Sequence, residues 1–361
     1  MATRRCAKIL ALTLATLPGM LAAGAAPALA ASWQQSPEPA LPGSSLAGVA
    51  AVSANDAWAA GQDGNGKPLM EHWGGSSWTV VGTPALPAAG SFQSVSGDSK
   101  KDVWAVGDMT LPSGEEDVLA EHWNGKKWKV TTAQNLFTGD PTDQNSLRSV
   151  QVLSPTDVWA VGGAANAQGK HVTLVERWNG SSWSVVSSPG DGMTGVSMAS
   201  DAFGWAAGAF GNKIVASWNG STWTATRTPP GLLSFFNGVL TESPTTAWAV
   251  GGQAHGIDPT APLIERFAKS KWKVVPAGTS DFGTLHAIAA LTPDDIWAVG
   301  GDTSSSTRSL LLHWNGTAWS QDTGPSVSGN PTLLSVAAVP GTSQLWAVGF
   351  TDAGPLIERY A

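Results

Sequence analysis

The sequence predicts an all-β fold of repeated four-stranded units, on three observations. The phrase Trp-Ala-(Val/Ala)-Gly occurs seven times, and its tryptophans recur every 43 to 55 residues. All 19 tryptophans fall on three positions of this repeat, one in the phrase and two beside a short hairpin. No segment shows convincing helical periodicity. Several short strands in a repeat of this length are typical of propeller blades, so we expect a seven-bladed β-propeller. The phrase tryptophans are Trp58, Trp104, Trp159, Trp205, Trp248, Trp297 and Trp346.

Each repeat predicts four antiparallel strands, which are clearest in the third copy. They are Ser146 to Leu153, Asp157 to Gly162, Thr173 to Trp178 and Ser182 to Val186, which are rich in Val, Leu and Trp and separated by turn residues. The second strand, which contains the phrase, is apolar on both faces. We therefore expect neighbouring blades to cover it on both sides.

An Asn-Gly pair separates the third and fourth strands, as at Asn179-Gly180. This pair favours a two-residue turn in which both residues have positive φ. Trp178 and Trp183 should then be neighbours on one face of the hairpin. The pair recurs at Asn124, Asn219 and Asn315.

The two ends of the chain predict how a ring would close. The last copy stops after its third strand, at Tyr360, whereas residues 31–38 resemble a fourth strand. We expect residues 31–38 to form the outer strand of the seventh blade and so remove the open sheet edges. Residues 31–361 are then one domain, with blades at 46–84, 92–133, 147–189, 193–229, 233–276, 284–325 and 333–361.

Residues 1–30 have the features of a signal peptide. Arg4, Arg5 and Lys8 precede an apolar stretch that ends in Ala28-Leu29-Ala30, the small-residue spacing of a cleavage site. We expect export by the Sec or the twin-arginine route and a secreted, extracellular product. The only cysteine, Cys6, lies in this segment, so disulfides and thiolate chemistry are excluded from the mature protein.

Charge and composition exclude several kinds of partner. The formal charge is −7, and it becomes about −10 without the three basic residues of the N-terminal segment. An acidic chain without a run of basic residues is not expected to bind nucleic acid or anionic membranes. No later segment has the ~20 apolar residues of a membrane span. We expect a soluble monomer without a cofactor.

The phrase resembles the kelch-type repeat. Trp-Ala-Val-Gly-Gly at Trp159 to Gly163, Trp248 to Gly252 and Trp297 to Gly301, followed by an aromatic residue and a tryptophan, is similar to kelch repeats and more loosely to tectonin-like ones. The resemblance implies a seven-bladed propeller and a binding role. Galactose oxidase looks related by repeat, but its copper site and Tyr-Cys cofactor need tyrosines and a cysteine. This chain has one tyrosine, Tyr360, and no mature cysteine.

Variation among the copies predicts which face binds. Links between the second and third strands, and links between blades, differ widely in length and chemistry, and in a four-stranded meander both kinds lie on one face. We call this the variable face. Its loops offer Phe137, Phe235, Phe236 and Phe282 as stacking surfaces for sugars, with a place in the core as the alternative for some of them. Further loop candidates for ligand binding are Asp140, Asp143, His171, His255, Asp281 and Phe282.

The innermost strands predict the main site. They share the pattern apolar-x-small-apolar, and x should line the central channel near the variable face. In order, x is Ala47, Gln93, Arg148, Thr194, Asn237, His286 and Leu334. Because a structural role would favour one residue type, the mixed set indicates a polar binding site. We expect Gln93, Arg148, Thr194, Asn237 and His286 to bind the ligand.

Other repeated polar residues are interpreted as structural. Five glutamates share one position on the third strand and should make hydrogen bonds or ion pairs between blades. The aspartates that precede the phrase, such as Asp102, should cap their own turns, and the histidines before the hairpin, such as His122, should pack. Three histidines on the variable face lack the spacing of a metal site. The five glutamates are Glu71, Glu121, Glu176, Glu265 and Glu358.

Three hypotheses on function follow. The first is a non-catalytic binding module for a glycan or an extracellular protein. The alternative is a propeller-type lyase or glycoside hydrolase with His286 and Asp281 at the channel mouth. A purely structural role in the cell envelope is the third. A histidine or acid of strongly shifted pKa beside a second acid would favour the enzyme.

Overall fold

The structure of the chain is a computed structural model that describes residues 31–87, 89–210, 212–230, 233–254 and 259–361. These residues form 28 strands and no helix. The part of the chain that is described therefore holds no helical segment able to cross a membrane. The segment predicted to be a signal peptide, residues 1–30, lies outside the described residues.

Consecutive strands form four-stranded units, each named here by its phrase tryptophan. The Trp58 unit has β2 (Ser45–Ser53), β3 (Asp56–Gln62), β4 (Pro68–Trp73) and β5 (Trp78–Val80). The Trp104 unit has β6 (Gly90–Ser99), β7 (Asp102–Thr110), β8 (Glu116–Trp123) and β9 (Trp128–Val130). The Trp159 unit has β10 (Gln144–Ser154), β11 (Asp157–Ala165), β12 (His171–Trp178) and β13 (Trp183–Val185). The Trp205 unit has β14 (Gly195–Ser200), β15 (Phe203–Phe210), β16 (Asn212–Trp218) and β17 (Trp223–Thr226).

The remaining units follow the same plan. The Trp248 unit has β18 (Ser234–Ser243), β19 (Thr246–Gln253), β20 (Ala261–Ala268) and β21 (Lys271–Val274). The Trp297 unit has β22 (Gly283–Thr292), β23 (Asp295–Asp302), β24 (Ser309–Trp314) and β25 (Trp319–Asp322). The Trp346 unit has β26 (Thr332–Ala338), β27 (Leu345–Thr351), β28 (Gly354–Tyr360) and, from the other end of the chain, β1 (Trp33–Gln35).

Strand pairing within each unit is antiparallel, and sequence neighbours are sheet neighbours. In the Trp346 unit, β1 lies against β28 with Trp33 opposite Tyr360. All four predicted strands of the Trp159 unit are present. Its first three strands are longer than predicted, because they continue into the loops of the variable face.

The apolar core consists of layers between neighbouring units. One cluster joins the Trp104 and Trp159 units, and another joins the Trp346 and Trp58 units. In each layer the phrase tryptophan packs against two aromatic rings of the next unit's hairpin. Trp104, for example, lies 5.0 Å from Trp178 and 5.1 Å from Trp183, between ring centroids. The repeated tryptophans thus form aromatic triads that join the units.

The Asn-Gly loops differ from the predicted turn. Trp178 and Trp183 are paired, so the loop has four residues rather than two. Gly180 has φ 96°, but Asn179 is not among the described residues with positive φ. Instead, Asn179 Oδ1 accepts hydrogen bonds from the backbone N–H groups of Ser181 and Ser182, both at 3.0 Å. Asparagine is used here for its side-chain acceptor, which closes an Asx turn.

The aspartates before the phrase bind across the sheet, which corrects the prediction that they cap their own turns. Asp102 Oδ1 accepts hydrogen bonds from the Trp104 indole at 3.0 Å and from the His122 ring at 2.6 Å. The His122 ring also stacks on Trp104, with centroids 4.4 Å apart. The same arrangement occurs at Asp295. At Asp157 an arginine, Arg177, replaces the histidine and lies 4.8 Å from the centroid of the Trp159 ring. These residues orient the phrase tryptophan.

The five repeated glutamates are completely buried. As predicted, some of them join neighbouring units: Glu176 accepts the N–H of Gln134 at 2.9 Å, and Glu358 accepts the Ser309 hydroxyl at 3.4 Å. Among the described residues, the carboxyl oxygens of Glu71 and Glu121 have no hydrogen-bond partner. Burial raises the pKa of Glu71 to about 7 and that of Glu121 to about 8.

Buried neutral carboxyls make the stability of the fold depend on pH. A carboxyl whose pKa is higher in the folded state stabilises the fold fully below about pH 4.5, and this contribution is lost as the pH rises through its folded pKa, about 7 for Glu71. We expect Glu71→Gln to reduce the fall in unfolding free energy between pH 5 and pH 7 by about 1 kcal/mol per pH unit. Urea unfolding of both proteins at several pH values measures this difference in pH dependence.

The control is Asp294→Asn, which removes an exposed acid. It should change the unfolding free energy at pH 7 by no more than about 0.5 kcal/mol. Equal pH dependence in Glu71→Gln and the wild type would show that Glu71 is ionised in the folded protein.

Candidate functional site

The residues predicted to line the channel sit at breaks in the register of the innermost strands. In β10, Leu147 lies opposite Gly162 and Ser149 opposite Val161, so Arg148 has no partner on β11. The equivalent register shift skips Gln93, Asn237 and His286. Each is thus the extra residue of a β-bulge, which turns a side chain out of the sheet.

The glycine of the phrase makes this bulge possible. A Cβ on Gly162 would lie 1.9 Å from the carbonyl oxygen of Ser146, on the strand that carries the bulge. Equivalent clashes face Gly107 and Gly300. The backbone of the bulged strand occupies the space of a side chain, so only glycine fits. The repeated phrase therefore positions the variable residues of the channel.

The seven predicted channel residues line one cavity of about 340 Å³. Among these seven, the polar residues come from five consecutive units, from Gln93 to His286, whereas Leu334 and Ala47 come from the adjacent Trp346 and Trp58 units. The described residues that line the cavity include no carboxylate, and Arg148 is the one permanent charge among them.

Two polar residues of the cavity also hold neighbouring units together. The Thr194 hydroxyl donates to the carbonyl of Phe236 at 2.8 Å. Asn237 Nδ2 donates to the carbonyl of Leu285 at 2.8 Å and lies 3.5 Å from His286 Nδ1. Burial lowers the pKa of His286, so its ring is neutral at pH 7. With Nδ1 facing an amide N–H, the ring proton is assigned to Nε2.

Arg148 connects the cavity to a small cleft on the variable face. The exposed Arg148 lines both spaces, and Glu116, His171 and Asp191 also line the cleft. Burial and the charge of Asp108 raise the pKa of Glu116, and Arg148 opposes that shift.

Gln93 belongs to a network around Asp108 that the sequence did not reveal. Gln93 Nε2 donates to Ser91 Oγ at 2.9 Å, and Asp108 accepts from the hydroxyls of Ser91 and Ser146 at 3.4 Å and 3.1 Å. Asp108 directly follows the phrase glycine, where most copies have another glycine or a small residue. That difference was the available signal.

The loop candidates that the structure describes do not line this cavity. Asp143 is buried and accepts the N–H groups of Asp140 and Ala167, both at 3.3 Å, so it ties two loops together. Asp140 Oδ1 accepts from the Thr142 N–H at 2.9 Å, as in an Asx turn. His255 lies outside the described residues.

Asp281 lies in a separate depression and not beside His286. Its carboxylate accepts from Gln321 Nε2 at 2.7 Å, and Phe282 borders the same depression.

Among the expected stacking residues, Phe282 is exposed and Phe235 is half-buried. Phe236 is completely buried in the core, so its predicted exposure is wrong. In the described parts of the chain, no three His, Cys, Asp or Glu side chains gather as metal ligands would.

The sequence matches no protein-family model and no curated protein. Solved structures match the fold. YCF48 bound to D1 peptide has a TM-score of 0.60 at 14% identity, over 92% of this chain and 96% of that one. The WD40 β-propeller domain of Doa1 gives 0.59 at 14%, over 92% and 97%. The RRP9 WD40 repeats give 0.61 at 12%, over 91% and 97%. The fold is a β-propeller.

In a propeller, innermost strands surround the axis, which explains why one position per repeat reaches a common cavity. Asp191, in a link between units, lines the cleft that shares Arg148 with the cavity. The cavity with its mouth, from Gln93 to His286, is therefore the candidate site of this propeller, and its arrangement can hold a polar ligand by several converging donors and acceptors.

Proposed function

We propose that the chain is a closed, seven-bladed, kelch-type propeller, and three contacts support closure. β1 pairs with β28, and an apolar cluster joins the Trp346 and Trp58 units. The N–H of Val49 donates to Ser335 Oγ at 3.2 Å, an inter-unit contact like that from Val150 to Ser94 Oγ. The basic and apolar pattern of residues 1–30, which is typical of a signal peptide, supports a secreted protein.

We further propose that the propeller is a non-catalytic binding module whose site is the mouth of the central cavity. The observation that carries this proposal is the set of bulge residues, which differ in chemistry although their backbone is repeated. Gln93, Arg148 and His286 present an amide, a guanidinium and an imidazole to one space. Repeats that needed only packing would carry the same residue in every copy.

A segment of a partner protein fits the cavity better than a glycan. No Phe, Tyr or Trp side chain is among the described residues that line the cavity, whereas sugars are commonly held by stacking on such rings. Amide and hydroxyl groups suit a peptide backbone. Among propellers of similar fold, YCF48 has been solved with a peptide bound.

The lyase or glycoside hydrolase alternative lacks its pair of groups. His286 has a lowered pKa, but its polar neighbour is the amide of Asn237. Asp281 is bound to Gln321 in another depression. General acid–base chemistry needs the two groups to reach one substrate atom.

A display experiment tests the binding module. Random twelve-residue peptides on phage are selected on the purified protein, and a glycan array is probed in parallel. We expect peptides to be enriched and their affinity to fall at least tenfold in the double variant Gln93→Ala/His286→Ala. The control is Lys126→Ala, in an exposed Asn-Gly loop on the other face, which should bind as the wild type does.

Melting temperatures of all variants must agree within a few degrees for this comparison. Enrichment of glycans alone, or peptide binding unaffected by the double variant, would contradict the proposal.

A further inference from the structure

We propose that the cavity recognises the free C-terminal carboxylate of a partner chain whose last residue is apolar. This inference rests on the proposed binding function and adds the chemistry of the ligand. It follows from the order of side chains around the cavity: one cation, several acceptors, and an apolar sector formed by Leu334 and Ala47.

The cation selects an anionic group. Arg148 is the one permanently charged residue that lines the cavity among the described residues, and it is exposed there. None of the described contacts pairs its guanidinium in a salt bridge, unlike Arg177, which binds Asp157 with two nitrogens at 2.7 Å and 2.9 Å. A guanidinium binds a carboxylate through two parallel hydrogen bonds.

The acids near Arg148 do not occupy the cavity. Asp108 already accepts from the Ser91 and Ser146 hydroxyls. Glu116 and Asp191 border the side cleft and not the cavity. A ligand in the cavity therefore meets Arg148 from the side away from these carboxyls.

The neutral groups suit an amide that adjoins the carboxylate. Asn237 uses its Nδ2 on Leu285, which leaves its Oδ1 as an acceptor. Gln93 likewise uses its Nε2 on Ser91. Both can accept a peptide N–H, and the neutral His286 offers its Nε2–H to a carboxylate or carbonyl oxygen.

The apolar sector selects the last side chain. Leu334 and Ala47 come from adjacent units and lie two units or more from Arg148 around the ring, so a bound chain end would extend an apolar side chain toward them. The cavity of about 340 Å³ is at the small end of ligand pockets, which span roughly 300–1,000 Å³. A chain end fits such a space, whereas an internal segment must enter and leave it.

Fluorescent hexapeptides test the proposal. The probe is a set of random-sequence hexapeptides that end in Leu, prepared with a free carboxylate and as the C-terminal amide. We expect the free acids to bind at least tenfold more tightly than the amides. Arg148→Gln should remove this preference, and Arg148→Lys should keep part of it. Leu334→Asn should reduce the preference for Leu over Ser as the last residue.

Equal binding of acids and amides, or a preference unchanged in Arg148→Gln, would overturn the proposal. If acids and amides bind equally and both lose affinity in Gln93→Ala/His286→Ala, the binding module stands and the carboxylate assignment fails. If neither acids nor amides bind, both fail.

Competition experiments distinguish a chain terminus from two other anionic ligands, a free small carboxylic acid and an acidic glycan. N-acetylleucine that competes as well as the peptides would replace the chain end by a free small carboxylic acid. Binding of glucuronate oligosaccharides in preference to the peptides would replace it by an acidic glycan. Either result would overturn the assignment to a chain terminus.

Discussion

Lys213→Met should lower the free energy of unfolding by about 3–5 kcal/mol, because it leaves a buried carboxylate without its partner. The Lys213 ammonium binds Glu265 across the boundary between the Trp205 and Trp248 units. The two side chains are 7% and 0% exposed. Without the ammonium, Glu265 must take up a proton or remain charged in an apolar layer, and both cost free energy at pH 7. Urea unfolding measures the loss.

The chain itself offers the matched control for this substitution. Leu312 and Ala216 occupy the position of Glu265 in the Trp297 and Trp205 units, so the fold accepts an apolar residue there. We expect Lys213→Met/Glu265→Leu to recover most of the lost stability. The loss in the single variant should also shrink as the pH falls, because burial raises the pKa of Glu265 and protonation removes the unpaired charge. A double variant no more stable than Lys213→Met would show that the lysine acts by packing and not by charge.

Gly162→Ala should destabilise the protein by about 3 kcal/mol and weaken binding at the cavity. The new methyl would lie 1.9 Å from the carbonyl oxygen of Ser146, and backbone cannot yield as a flexible side chain does. Relief of this contact requires β10 to move at its bulge, which displaces Arg148. Thermal unfolding and peptide binding should therefore change together.

Gly163→Ala, one residue further along the same strand, is the control. Its Cβ would meet its nearest atom, the Gly192 Cα, at 3.4 Å, which is an ordinary contact. We expect a change within about 0.5 kcal/mol. If the two substitutions cost the same, the bulge would not be what the phrase glycine is required for.

The all-β repeat fold could be predicted because the tryptophan pattern reports packing that every copy repeats. The positions of the channel residues could be predicted because one position varies within a repeated apolar frame. The bulge at that position could not be predicted, since a register shift is set by pairing with β11 and not by the strand's own sequence. Its one trace in the sequence is the phrase glycine, which is the same in all seven copies.

Contacts between residues that are distant in the sequence could not be predicted. Asp102 was assigned to its own turn because local capping is the usual role of such a residue, but its partner, His122, is on the next strand. Phe236 follows a variable loop and was expected to be exposed, but the inward face of β18 places it in the core. Asp281 was joined to His286 by sequence proximity, which does not fix side-chain direction.

The pairing of β1 with β28 also affects the order of folding. Trp33 is among the first described residues to be synthesised, and its partner Tyr360 is almost the last. Each of the other units can form from a continuous stretch of chain, with short loops and a small entropic cost. The Trp346 unit must instead bring together segments separated by nearly the whole chain, which is slow. Until β1 pairs with it, β28 keeps an unpaired edge, so the Trp346 unit is the part of the fold most exposed to aggregation during folding.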